Sequence, residues 1–290
     1  MNFEKLSYAA GGLFKRIGRS RMCPSCKCDD ARRVDRKGFH DLFKCSQCAL
    51  QYRWPYETAQ EMAHFYQRRY RQSGLTTDLP NADTLKRLME QRFRGTEKDF
   101  SRVIDLLASL SIPEESRILD FGANWGYGVW QFREAGFDAV GYELSTTRAA
   151  FSSRLDVEVF SEWNAVENRG PFDVVFSSHV LEHTPDPAAA LRRKAKMVAP
   201  GGLLIAYFPS GSETFRRNNP TAFHRLWGRV HPVMLDGMFV REVLSDWPLA
   251  IGAHCAGDLG RLRTWDRETS WSGNLGTSEM LIVAASPIAA

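Results

Sequence analysis

Residues 117–132 constrain this chain most: Arg-Ile-Leu-Asp-Phe-Gly-Ala-Asn-Trp-Gly-Tyr-Gly-Val-Trp-Gln-Phe. The run reads as a short buried strand (117–121), a tight glycine turn (Gly122 to Gly126) and a helix starting near Tyr127. A strand that feeds a glycine turn and then a helix N-terminus lets backbone N–H groups come close to a ligand. That is how a nucleotide-binding α/β domain opens.

The chain beyond it alternates. Strands are expected at 138–143, 157–160, 172–177 and 203–208, with helices at 127–135, 145–154 and 187–198 between them. Such alternation predicts an α/β fold: a Rossmann-like, seven-stranded, mostly parallel sheet with helices on both faces. The last segment, 278–285, is placed to run antiparallel beside a strand near 249–254. Ahead of the sheet, Leu85, Leu88, Phe93, Phe100, Ile104 and Leu107 recur near helical spacing, and Gly95 predicts a break into two helices.

A chain of 290 residues holds about two domains, or one with an appendage. The charge is uneven: residues 1–100 carry 20 Lys and Arg against 12 Asp and Glu, whereas the remainder carries 18 against 22. A basic front end suits phosphates, and equally suits a solvated surface. No apolar run reaches membrane-spanning length, and the first ten residues carry an early acid with no continuous apolar core. No membrane association and a cytoplasmic address are therefore expected. Residues 1–20 read either as a short amphipathic helix or as a frayed end.

Two Cys-x2-Cys pairs, Cys23/Cys26 and Cys45/Cys48, flank an 18-residue gap. That is zinc-ribbon spacing: each pair forms a turn whose thiolates aim at one ion, and two turns complete a tetrahedral S4 site. Four thiolates leave no open position, so the Zn2+ is expected to be structural. Cys28 is a spare at the wrong spacing from Cys26. A strand should leave the ribbon at 49–56, followed by a helical stretch at 57–70 and a polar connection at 73–80. Tyr66, Arg68, Arg69, Tyr70 and Arg71 form a basic-aromatic cluster there, read as a solvated helix face or an acceptor flank. The ribbon with its exit, Cys45-Ser-Gln-Cys48-Ala-Leu-Gln-Tyr-Arg-Trp-Pro55, resembles the N-terminal zinc module of a group of bacterial S-adenosylmethionine-dependent methyltransferases. Some of these act in sugar, antibiotic and surface-polysaccharide pathways.

A dinucleotide fingerprint would need glycine where Asn124 and Tyr127 stand. The turn fits Asp-x-Gly-x-x-x-Gly instead, through Asp120, Gly122 and Gly126, and resembles the first motif of class I methyltransferases. Asn124 occupies a position often glycine in that family, and Asn tolerates a left-handed backbone well. Glu143, at the end of the second strand, is placed to accept hydrogen bonds from ribose hydroxyls. The segments His179-Val-Leu-Glu-His183 and Ala199-Pro-Gly-Gly-Leu203 resemble the family's later motifs. Together the motifs cover about residues 117–208.

The resemblance implies S-adenosylmethionine as cofactor and assigns roles. The backbone from Gly122 to Gly126, flanked by Phe121, Ala123, Asn124 and Tyr127, would hold the methionine part, with Asp120 near its amino group. Glu143 and Leu144 would meet the ribose, Ser161 or Glu162 the adenine, and Ser177 and His179 the reactive sulfonium. Methyl transfer depends on placement of the acceptor, and a hydroxyl acceptor also needs a base. The candidates are His231 or His179, then His224, while His183 with Glu182 is expected to serve structure. His224, Arg225, Trp227, Arg229 and His231 follow strand five, where related enzymes place acceptor-binding lids.

The expected organisation is a zinc-binding module (1–56), a helical linker and lid region (57–112) and an S-adenosylmethionine-binding domain (113–290). O-methylation of a sugar, glycan or natural product is the expected activity, with a nucleotide-sugar among the possible acceptors. C-methylation of a nucleotide-sugar, RNA methylation with the ribbon gripping phosphates, and a non-catalytic scaffold are the alternatives.

Overall fold

The computed structural model describes residue 16 and residues 20–57, 60–61 and 78–288. The expected N-terminal amphipathic segment, nearly all of the 57–70 helix and the Tyr66–Arg71 cluster lie outside the described residues.

A central sheet organises the body. Its parallel part comprises β4 (Arg117–Phe121), β5 (Asp138–Tyr142), β6 (Val159–Phe160), β7 (Phe172–Ser178) and β8 (Val198–Pro209). Two strands, β10 (Leu249–Gly252) and β12 (Glu279–Ala285), extend it, and the two-residue β11 (Trp271–Ser272) adds an eighth strand to the seven expected. The order is β11-β10-β12-β8-β7-β4-β5-β6. From β4 the chain winds outward to β5 and β6, then returns to β7 on the other side of β4. The crevice outside the carboxyl ends of β4 and β7 is therefore the topological switch point, where open α/β sheets bind ligands. The closing strand β12 runs antiparallel to both β8 and β10, placing Glu279 opposite Pro209.

Strand pleating sorts the apolar residues onto two faces. Ile118, Val174, Phe176, Ile205, Tyr207 and Val283 face one core, covered by α1 (Ala82–Glu90), α2 (Ser101–Ser109) and α3 (Tyr127–Glu134). The break between α1 and α2 carries left-handed residues at Arg92, Phe93 and Gly95. Leu119, Val175, Leu204, Ala206, Phe208 and Ile282 face the other core, packed by α6 (Pro187–Ala195) and α9 (Gly237–Val243). Short helices α4 (Thr146–Phe151) and α5 (Trp163–Glu167) follow β5 and β6. Beyond β8 come α7 (Glu213–Asn218) and α8 (Pro220–Leu226), and α10 (Ala256–Arg263) follows β10. No helix among the described residues is long and apolar enough to cross a membrane.

The cysteine-bearing segment forms a second, antiparallel sheet: β1 (Ala31–Lys37), β2 (His40–Cys45) and β3 (Gln51–Trp54). Its fourth strand comes from far along the chain. Val233–Met234 (β9) pairs with β3, and the Arg53 amide donates to the Pro232 carbonyl at 2.7 Å. Cys23, Phe43, Leu50, Tyr52 and Trp54 lie in the same continuous core as Leu181, Val233, Leu235 and Phe239. Lys44 pairs with Asp236 at 2.7 Å across the junction.

Candidate active site

The turn after β4 is built as its residues dictate. Gly122 and Gly126 have φ of 93° and 91°, and Asn124 takes the left-handed conformation at 53°. The Gly122 and Ala123 amides donate to the Tyr142 carbonyl at 2.8 and 3.0 Å, tying the turn to the end of β5. The Glu143 carboxylate completes that tie, accepting from the Asn124 amide at 3.1 Å and the Ser145 amide at 2.8 Å. Beside it Leu144 is 59% exposed, an apolar side chain left uncovered at the mouth of the crevice. Tyr127 opens α3 and packs with Phe93, Phe100 and Trp125.

Asp120 is buried at the penultimate position of β4. Burial, and then the neighbouring Glu143 charge, push its carboxyl up to about 7. Burial also raises Glu143, against the Ser145 and Asn124 amides and Arg148, which favour its charge. Phe121 packs against Tyr142 and Trp163 on the opposite face, and the Lys194 ammonium lies 4.0 Å from the centre of its ring. Ser161 lines a groove of about 380 Å3 between α4 and the β6 edge, and Glu162 is exposed as the residue preceding α5.

At the end of β7, Ser177 is buried, with a hydroxyl that has no hydrogen-bond partner among the described residues. Such an atom suits a site meant to receive a polar ligand. His179 follows with φ of 53°, uncommon outside glycine, and its amide donates to the Tyr207 carbonyl at 2.9 Å. Both its ring nitrogens meet carboxylates: Nδ1 lies 3.1 Å from Glu182 and Nε2 lies 2.8 Å from Glu279. Burial opposes the charge, but these two hydrogen bonds and the charges behind them raise His179 to about 10. At neutral pH it is an imidazolium that donates from both nitrogens. Arg102 reaches Glu279 at 2.8 Å and completes a chain of alternating charge across the ends of β7 and β12.

The other expected histidines separate. His224 Nδ1 and the Trp227 indole N–H both meet Asp35 Oδ2 of β1, at 2.8 and 2.7 Å, so this half of the segment after β8 faces the N-terminal sheet. His231 lies instead against His183, with ring centroids 4.8 Å apart, and Glu182, His183 and His231 offer ligand atoms all within 4.8 Å of one another. His183 donates through Nδ1 to the Val230 carbonyl at 2.7 Å. The roles of Glu279, Arg102 and Asp35 had no short-range signal in sequence, because each partner is remote along the chain. Only the register of β12 on β8 brings Glu279 to His179.

Four cysteines cluster in the N-terminal sheet. Cys23 and Cys48 sulfurs are 3.6 Å apart and those of Cys26 and Cys45 3.4 Å apart. A tetrahedron of thiolates about 2.3 Å from zinc has edges of about 3.8 Å, so the set fits such an ion. Cys28 stands outside it, its sulfur directed to the Asp30 carbonyl and the Ser46 hydroxyl.

Comparison with known proteins finds a family for the central part of the chain. A family model described as a methyltransferase domain matches residues 94–234. Ubiquinone biosynthesis O-methyltransferase of Caulobacter sp. (strain K31) is 35% identical over 101 residues, 32% of this chain and 40% of that protein. The protein of the same name from Aliivibrio fischeri (strain MJ11) is 33% identical over 95 residues, 30% of this chain and 41% of that protein. The match thus spans about two fifths of these relatives' length. Among solved structures, magnesium protoporphyrin IX methyltransferase from Synechocystis PCC 6803 is similar at 13% identity and a TM-score of 0.46, over 72% of this chain and 89% of that one.

Proposed function

We infer, from a chain that carries a class I S-adenosylmethionine-dependent methyltransferase domain, that it methylates a hydroxyl of a small acceptor held over the carboxyl ends of β7 and β8. One observation carries this reading. The turn tied to Glu143 and the histidine–carboxylate cluster stand at the two sides of one switch point, the first suited to a cofactor and the second to an acceptor. The name of the partial relatives, O-methyltransferase, supports oxygen as the atom methylated.

S-adenosylmethionine, when bound, supplies the electrophilic methyl group. The residues fit it. Asp120 is a buried carboxyl with no opposing cation among its perturbing neighbours, suited to the cofactor's amino group. Glu143 is placed to share its oxygens with ribose hydroxyls, and Leu144 to cover apolar surface beside them. The turn from Gly122 to Gly126 and the start of α3 form the wall for the methionine part, Ser161 and Glu162 flank the adenine end, and Ser177 borders the sulfonium. His179, protonated and clamped, positions Glu182 and Glu279 and is not the base. Of the three histidines expected in catalysis, we assign the acceptor proton to the cluster containing His231, and give His224 a structural role with Asp35.

The Cys23, Cys26, Cys45 and Cys48 set is proposed to hold structural Zn2+, which fixes the turns that carry β2 and β3. Nucleotide-sugars and free glycans remain within the acceptor class, as do phenolic natural products. Calorimetry with S-adenosylmethionine, then a labelled-methyl screen over phenols, nucleotide-sugars, glycans and total RNA read by mass spectrometry, tests the reading. Label on an oxygen of a small acceptor supports it. Label on carbon or RNA moves the acceptor assignment, and no cofactor binding removes the enzyme reading in favour of a scaffold.

A further inference from the structure

We propose that Glu182, His183 and His231 form a second metal site, distinct from the four cysteines, that takes a divalent first-row ion at the carboxyl end of β7. The cluster has the chemistry of a ligand set. His183 Nδ1 meets the Val230 carbonyl at 2.7 Å and His231 Nδ1 meets the Leu226 carbonyl at 2.8 Å. A carbonyl only accepts, so each Nδ1 carries a proton, and Nε2 is the nitrogen that can ligate an ion. Backbone carbonyls fix the tautomer of metal-binding histidines in this way.

Glu182 supplies the third donor. Its side chain is fully buried; one oxygen accepts from His179, and the other has no hydrogen-bond partner among the described residues. The oxygen that faces His183 is Oε1, the one that also accepts from His179, and a carboxylate oxygen has a second lone pair to offer an ion. Buried Lys194 interacts with the same carboxylate. His183 Nε2 stands 3.9 Å from Glu182 Oε1, and the three ligand atoms lie within 4.8 Å of one another. Donors about 2.1 Å from a common ion sit about 3–4 Å apart, so small side-chain rotations close the set.

Two imidazoles and one carboxylate select a borderline ion such as Zn2+, Mn2+, Fe2+ or Co2+, and leave coordination positions for other oxygens. Both histidines keep some solvent exposure while Glu182 is sealed, so the open positions face outward. The third ligand precedes Pro232, whose carbonyl is bound by the Arg53 amide, so pairing of β3 with β9 holds His231 in reach. Binding of the ion stands on these residues alone. Its role, to bind the acceptor oxygen and lower its pKa, rests on the methyltransferase reading and makes His231 a ligand.

The test is a Co2+ titration of zinc-loaded protein, followed by visible absorption. Weak ligand-field bands that saturate at one ion per chain, without thiolate-to-cobalt charge transfer, are expected. Glu182→Gln and His231→Gln should each weaken that binding by at least about tenfold while S-adenosylmethionine still binds by calorimetry. The His231 variant, at a partly exposed loop position, covers the case in which loss of a buried carboxylate prevents folding. Bands with thiolate charge transfer only, or affinity unchanged in both variants, would overturn the proposal. Cobalt binding without cofactor binding would leave the metal site standing and remove the enzyme reading, so the two failures are distinct.

Discussion

A Cβ added to Gly122 would lie 2.3 Å from Val180 Cγ2. The first glycine of the turn after β4 and the valine of the His-Val-Leu-Glu-His run are therefore one packed surface, although 58 positions separate them. Gly122→Ala meets both this clash and a φ of 93°, and should cost roughly 2–4 kcal/mol of stability. Adding Val180→Ala should recover the steric part and leave the backbone part. Urea melts of the single and double variants measure the split; equal loss in both would show that the contact is irrelevant.

Asp120 makes stability depend on pH. Its carboxyl is raised from the ordinary range to about 7, so between about pH 4 and pH 7 the folded chain holds a proton that the unfolded chain has released. Its contribution to stability is full below that window and is lost as pH rises through it. Asp120→Asn should flatten this part of the profile and raise stability at pH 8, while weakening S-adenosylmethionine binding. Near pH 6, cofactor binding by the parent protein should release a proton, seen as a calorimetric enthalpy that varies with buffer ionisation. A buffer-independent enthalpy would contradict the pairing of Asp120 with the cofactor's amino group.

Removal of the Zn2+ proposed for the four cysteines should be felt well beyond the N-terminal sheet. Because its core is continuous with that under α6 and α9, a chelator or Cys48→Ser should lower a single melting transition by on the order of 10 °C. Two separate transitions in calorimetry would show that the sheet folds independently.

Asp35 binds His224 and Trp227 through one oxygen. The Trp227 side chain is buried, so Asp35→Ala strands its indole N–H and should cost about 1–3 kcal/mol. Substitution of His224 by Gln, which can still donate to Asp35, should leave methyl transfer almost unchanged. A large fall in turnover at unchanged stability would return His224 to the catalytic set.

The alternation of strands and helices and the cysteine cluster were legible because both are written in local spacing. Asn124 illustrates this: its left-handed backbone follows from its place in a glycine turn. The segment 222–236 was misleading for the opposite reason. Its His, Arg and Trp read as one acceptor surface, but Asp35 draws His224 and Trp227 to one side while His183 and Glu182 take His231 to the other. Nothing within the segment encodes that division. His179 likewise carries the family pattern, yet its charge rests on two carboxylates, Glu182 within the motif and Glu279 one hundred positions away, and only the first is near it in sequence.

The pairing of Val233–Met234 with β3 bears on how this chain can be cut and recombined. The N-terminal module is not a detachable tag. A truncation at residue 78 would strip β9 of β3, its ladder partner among the described residues, and bare Leu235 and Phe239, leaving a sticky edge of the kind that drives aggregation. Transplanting residues 20–57 onto another protein would likewise move a three-stranded sheet without its closing strand. The unit that travels intact includes residues 227–236, which makes the module discontinuous in sequence though continuous in space.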